Sequence, residues 1–103
     1  MDINTLTTNA ETISADYAQH FDVDRTDDWF MLKLTEEVGE MTQSYLKYQG
    51  QAREKPDTGN TFRTEFEDEL ADVLGTVLLI AKHHDIDIEQ AITRKWLKYL
   101  PER

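Results

Sequence analysis

Apolar residues recur at three- and four-residue steps along most of the chain, the period of an amphipathic helix and not of a strand. Between Asp2 and Asp22 the stripe is Ile3, Leu6, Ala10, Ile13, Tyr17 and Phe21, and Asp2 is placed to cap the helix it predicts. A polar stretch follows, Asp22 to Asp28, in which Thr26 can cap a second helix and Asp27 and Asp28 suit its positive start. That helix carries Phe30, Leu34, Val38, Met41, Tyr45 and Tyr48 on one stripe, and Gly50 is its stop. Gly50 to Asn60 reads as the one long loop, punctuated by Pro56 and Gly59 and carrying Arg53 and Lys55. Asn60 or Thr61 can cap a third helix with Phe66, Leu70, Val73, Leu74, Val77, Leu78 and Ala81, the most apolar segment and the expected centre of the fold. Asp87-Ile88-Glu89-Gln90 has the form of a capping box, with Ile86 and Ala91 as its hydrophobic staple. The fourth helix is predicted to run to about Leu100, before Pro101. No hairpin dipeptide separates alternating segments, so the expectation is an all-α four-helix bundle with one domain over residues 1–103.

Composition narrows the function more than the fold. With 21 acidic against 11 basic residues the net charge is -10, and such a surface repels phosphate backbones, so nucleic acid is not an expected partner. There is no cysteine, hence no disulfide, no thiolate zinc site and no cysteine nucleophile. The first residues lack the basic and apolar regions of a signal peptide, and the longest apolar run, Val77 to Ala81, is far short of a membrane span of about 20 residues. A cytoplasmic protein without a membrane partner is expected. Four short helices bury a thin core, which predicts completion by a second or further copies, as a homodimer or homotetramer.

The informative residues are carboxylates. Glu36-Glu37-Val38-Gly39-Glu40-Met41 and Asp68-Glu69-Leu70-Ala71-Asp72-Val73 share one pattern: acid, acid, apolar, small, acid, apolar. At about 100° per residue, Glu37 and Glu40 share a helix face at the edge of the apolar stripe, and Glu69 and Asp72 do the same on the next helix. The first pair lies roughly 11 residues, or about 17 Å, before Gly50, and the second roughly 10 residues, or about 15 Å, after Thr61. Antiparallel neighbours joined by the loop would therefore bring all four to one level. A single E-x-x-E is most simply a solvated acidic face. Four clustered, half-buried carboxylates are costly unless they are protonated or bind a cation. Hard oxygen donors without cysteine favour Mg²⁺, with Mn²⁺ as the alternative, over zinc. A di-iron bundle would need Glu-x-x-His pairs, which the chain lacks.

The order E-E-x-x-E, a gap, then E-x-x-D resembles the all-α nucleoside triphosphate pyrophosphatases of the MazG-like group. The likeness runs from about Trp29 through Lys95 and includes the apolar helix after Asp72, the Asp85-Ile86-Asp87-Ile88 turn and Ala91-Ile92-x-x-Lys95. It implies hydrolysis of nucleoside triphosphates to the monophosphate and pyrophosphate, with Glu37, Glu40, Glu69 and Asp72 as Mg²⁺ ligands. Glu36 would orient or deprotonate the attacking water, and Lys95 would reach a phosphate. Tyr99 stands where members often place an asparagine, and the usual arginine-rich tail is lacking.

Other residues carry two readings each. Trp29, Tyr45, Tyr48 and Trp96 read as core or oligomer contacts, with Tyr48 also a candidate for stacking on a base. Arg53, with Lys55 and Arg63, keeps the loop soluble or closes over phosphates. His83-His84 reads as a polar helix end. Gly39 costs its helix about 1 kcal/mol relative to alanine, which predicts a close helix crossing there. Two alternatives stand beside the main reading: a phosphoribosyl-ATP pyrophosphohydrolase, and a non-catalytic acidic helical interaction module.

Overall fold

The computed structural model describes residues 1–53 and 61–102. Pro56, Gly59, Lys55 and the capping role of Asn60 lie outside the described residues. Within them the chain is all-α, with helices α1 (Ile3–His20), α2 (Asp27–Tyr48), α3 (Thr61–His83) and α4 (Ile88–Lys95), and a 3-10 turn at Leu97–Tyr99.

Local chemistry explains where these helices begin. Asp2 accepts from the Thr5 amide at 2.8 Å, Thr26 from Trp29 at 3.1 Å and Asp87 from Gln90 at 3.0 Å, so the caps expected for α1, α2 and α4 are made. Three helices also stop in one way. After α2, Gly50 turns left-handed at φ 70°, its amide bonding Lys47 O and the Gln51 amide bonding Leu46 O. After α1 and α3 the left-handed position falls to Asp22 and Asp85, both at φ 55°. There the next amides, Val23 and Ile86, reach back to Ala18 O and Ala81 O at 2.8 Å. Ala18 and Ala81, whose carbonyls take these two bonds, are both buried.

The fourth helix is shorter than the sequence predicts. It ends at Lys95, and the chain tightens into the 3-10 turn, whose last amide, Leu100, bonds Leu97 O at 3.0 Å. Leu100 is extended, at φ -62° and ψ 130°, because a residue before proline is driven out of the helical region.

The chain divides into two compact units. One takes Met1–Val23 with the chain from Leu78 onward, and its buried positions are Ala18, Leu78 and Ala81. On α1 the covered residues are Ile3, Thr7, Ala10, Glu11, Ser14 and Ala18, while Leu6, Tyr17, Phe21 and, at 71% exposure, Ile13 face outward. Of the expected stripe only Ile3 and Ala10 are thus covered.

The other unit is Asp24–Val77, and holds α2 and the first four turns of α3. Tyr45 and Tyr48 lie over Phe66 with ring centroids 5.4 and 5.9 Å apart, and Arg63 donates to the Tyr48 hydroxyl at 2.9 Å. The end of α2 therefore meets the beginning of α3, so the two helices are antiparallel neighbours. The covered residues of α2 include Phe30, Leu34, Glu37, Met41 and Ser44, and those of α3 Phe62, Phe66, Glu69, Val73 and Thr76, with Trp29, Lys33, Lys47 and Glu65 half-buried as well. Relative to the expected stripe on α2, this face is rotated by roughly 30°. Val38 and Tyr45 move outward, and Glu37 moves inward. Gly39 makes no close crossing: a Cβ built there meets nothing within 4 Å, because it stands about 200° around the helix from Glu37.

Candidate metal centre

Both covered faces run with the seven-residue rhythm of a helix seam, and a glutamate occupies the same place in each. Phe30, Leu34, Glu37, Met41 and Ser44 correspond in order to Phe62, Phe66, Glu69, Val73 and Thr76, always 32 residues later. The doubled acidic pattern is the visible centre of this longer correspondence. With the helices antiparallel, Glu37 and Glu69 are brought together inside the seam, and Glu40 joins them from its edge.

Carboxylate oxygens of Glu37, Glu40 and Glu69 all lie within 4.8 Å of one another. Glu37 keeps only 8% of its surface exposed. Glu37 Oε2 and Glu69 Oε2 are buried and meet no hydrogen-bond donor among the described residues. A buried acceptor without a donor costs about 1–3 kcal/mol, more when charged, so a proton or a cation at these oxygens would stabilise the arrangement. Burial, then the charges of Glu40, Asp72 and Glu69, push the Glu37 carboxyl above its ordinary range, while Lys33 pulls it down. Burial, then Asp72, Glu40 and Asp68, push Glu69 up as well. Three convergent oxygen donors with two orphaned buried oxygens suit a hard dication such as Mg²⁺ or Mn²⁺.

The remaining expected residues are placed as follows. Asp72 lies outside the three-carboxylate group, although its charge acts on both Glu37 and Glu69. Glu36 is exposed and pairs with Lys33, whose Nζ stands 3.0 Å from Glu36 Oε1 and 3.7 Å from Glu37 Oε1. Tyr48 is occupied by Arg63 and Phe66 at the end of the seam. Arg53 is exposed, beside the edge of the described residues. Lys95 belongs to the other unit, where it lines a shallow recess with Trp96 and Tyr99. Sequence reasoning missed Gln43, Ser44 and Lys47, which with Glu65 border a cleft opening onto Glu40 and Glu69. Their signal was helical: Gln43 and Ser44 stand one turn past Glu40, and Lys47 two turns past it.

A family model of the MazG nucleotide pyrophosphohydrolase domain matches residues 25–102, which contain every carboxylate of the cluster. Comparison with curated proteins and with solved structures gave no match. On the match over most of its length, the chain belongs to the MazG nucleotide pyrophosphohydrolase domain family.

Proposed function

We propose that this protein is a Mg²⁺-dependent nucleoside triphosphate pyrophosphohydrolase, with Mn²⁺ as the alternative ion, cleaving (d)NTP to (d)NMP and pyrophosphate. The observation that carries this reading is the meeting of Glu37, Glu40 and Glu69 with two buried oxygens lacking donors. Glu37, Glu40 and Glu69 would hold the ion, with Asp72 completing the set from the next turn of α3. When bound, Mg²⁺ supplies charge neutralisation for the polyphosphate and acidifies water. A triphosphate carries about four negative charges, so this acidic seam receives it only with cations in place.

Glu36 stands outside the three-carboxylate group, exposed to solvent and steadied by Lys33. That placement suits it to orient or deprotonate the water that attacks the α-phosphorus. The water oxygen forms the new P–O bond, the bond to the β-phosphate bridging oxygen breaks, and pyrophosphate leaves. The cleft with Gln43 and Lys47 gives the polyphosphate donors beside the carboxylates. Tyr48 and Arg53 are assigned to substrate binding, and Lys95 keeps the phosphate-binding role that the resemblance gives it.

We read residues 1–103 as one functional domain that assembles as a homodimer or homotetramer, because Ile13, Phe21, Leu32, Leu74 and Trp96 are all more than half exposed. Light scattering at micromolar concentration should give at least twice the 12.0 kDa of the chain. The deciding experiment is a nucleotide panel assayed for pyrophosphate with and without Mg²⁺. Release from one or more (d)NTPs only with Mg²⁺ is expected. Release from phosphoribosyl-ATP alone would favour that enzyme, and no release from any nucleotide would favour an interaction module.

A further inference from the structure

Along the covered faces and their flanking carboxylates, the correspondence between α2 and α3 preserves chemical character at most positions. Phe30 answers Phe62, Leu34 Phe66, Glu36 Asp68, Glu37 Glu69, Glu40 Asp72, Met41 Val73 and Ser44 Thr76. Lys33 answers Glu65 with a charge of opposite sign, and Lys47 answers Leu79. At one end of the seam Glu65 and Lys47 border the cleft beside Glu40 and Glu69. Lys33 brings a cation to the other end, where its ammonium stands between the buried Glu37 and the exposed Glu36. Lys33 is itself two-thirds covered, so solvent screens it less than a surface lysine.

The geometry points to Lys33 as an internal counter-cation of the carboxylate cluster, a positioning residue that sets how tightly the site takes a divalent ion and holds Glu36 outside the ligand set. The reasoning is electrostatic. Lys33 offsets part of the repulsion among Glu37, Glu40 and Glu69 when no dication is bound, so it supports the fold of the metal-free protein. A dication that binds Glu37 shares that carboxylate with Lys33, and like charges repel, so the same lysine weakens metal affinity. The 3.0 Å pair with Glu36 competes with any dication for that carboxylate and leaves it at the rim. Lys33 thus trades metal affinity for a stable site before the ion arrives. This inference rests on the cation site proposed above.

The test compares the parent with Lys33→Met, which keeps the stem and removes the charge, with Lys33→Gln, which keeps polarity as well, and with Lys33→Arg. Mn²⁺ and Mg²⁺ titrations by calorimetry at constant ionic strength, with thermal melts in EDTA, supply readouts independent of turnover. Lys33→Met and Lys33→Gln should bind either ion about tenfold more tightly and melt lower in EDTA, while Lys33→Arg should follow the parent. Damage to the site of a merely structural kind would lower affinity and stability together. Should Lys33→Met fail to fold in EDTA, Lys33→Gln carries the comparison. A parent that binds while neither neutral variant binds more tightly overturns this inference and leaves the site standing. A parent that takes up neither ion overturns both.

Discussion

The Arg63 guanidinium donates from Nη1 to the hydroxyl of Tyr48 at 2.9 Å, fastening the first turn of α3 to the last turn of α2. Arg63 also bonds Glu67 at 3.1 Å, and Tyr48 lies nearly parallel to Phe66, so the fastening is held from both sides. This contact fixes the antiparallel register some two turns from the carboxylates. A shift of α3 by one residue turns it about 100° and would carry Glu69 out of the seam.

The first prediction follows from that clamp. Phe66→Ala should cost about 2–3 kcal/mol by denaturant unfolding, since it removes the ring that both tyrosines cover. Tyr48→Phe keeps the ring stack and loses only an exposed hydrogen bond, so its effect should be much smaller. Equal losses in the two variants would show that the ring stack does not hold this end together.

Charge in the seam predicts a pH dependence of a definite sign. The carboxyls of Glu37 and Glu69 are raised above the ordinary glutamate value of 4.5 in the folded protein. A group that binds its proton more tightly when folded contributes stability that is fully present below the unfolded value and is lost as pH rises through the folded one. Glu37→Gln is neutral throughout. In EDTA it should melt above the parent near pH 7, and the gap should narrow as pH falls toward the unfolded glutamate value. Melts across that range check the sign; a gap that widens on acidification contradicts it.

Metal should stabilise the parent more than variants that lack one of the carboxylates. A ligand that binds only the folded state stabilises it by about 2.7 kcal/mol at a hundredfold excess over Kd. Mg²⁺ should therefore raise the melting temperature of the parent at constant ionic strength, and the rise should shrink or vanish in Glu69→Gln and Asp72→Asn. Both variants should also lose most pyrophosphate release. An unchanged Mg²⁺ response with unimpaired turnover would place the site elsewhere.

The left-handed aspartates give a prediction independent of function. Asp22 and Asp85 occupy at φ 55° the position that Gly50 fills after α2. A side chain in that region meets a steric penalty that glycine avoids, offset in part by the greater freedom of glycine in the unfolded chain. Asp22→Gly and Asp85→Gly should each stabilise the protein by about 0.5–1 kcal/mol, measured by chemical denaturation. Destabilisation by either would mean that the aspartate supplies an interaction outweighing its backbone penalty.

What could be read from the chain without its fold was whatever depends on neighbours in sequence. Asp2, Thr26 and Asp87 cap residues three places ahead, and Gly50 ends its helix through amides reaching back three and five residues, so the starts of α1, α2 and α4 and the stop of α2 were legible. The paired acids were legible for the same reason, since i,i+3 spacing settles which carboxylates share a face. The rotation of each helix was not. On α2 the alternatives differ by roughly 30°, and apolar residues are plentiful enough to favour either, so packing against α3 decided that Glu37 enters the seam and Val38 leaves it. On α1 Thr7, Ala10, Ser14 and Ala18 are covered while Leu6, Ile13 and Phe21 stay exposed, a choice that the period of the helix does not make. The Lys33 pairs with Glu36 and Glu37, at i,i+3 and i,i+4, and the extended Leu100 before Pro101 follow instead from neighbours in sequence. Spacing along one helix is a local property, whereas the face that helix buries is settled only when a second helix is placed against it.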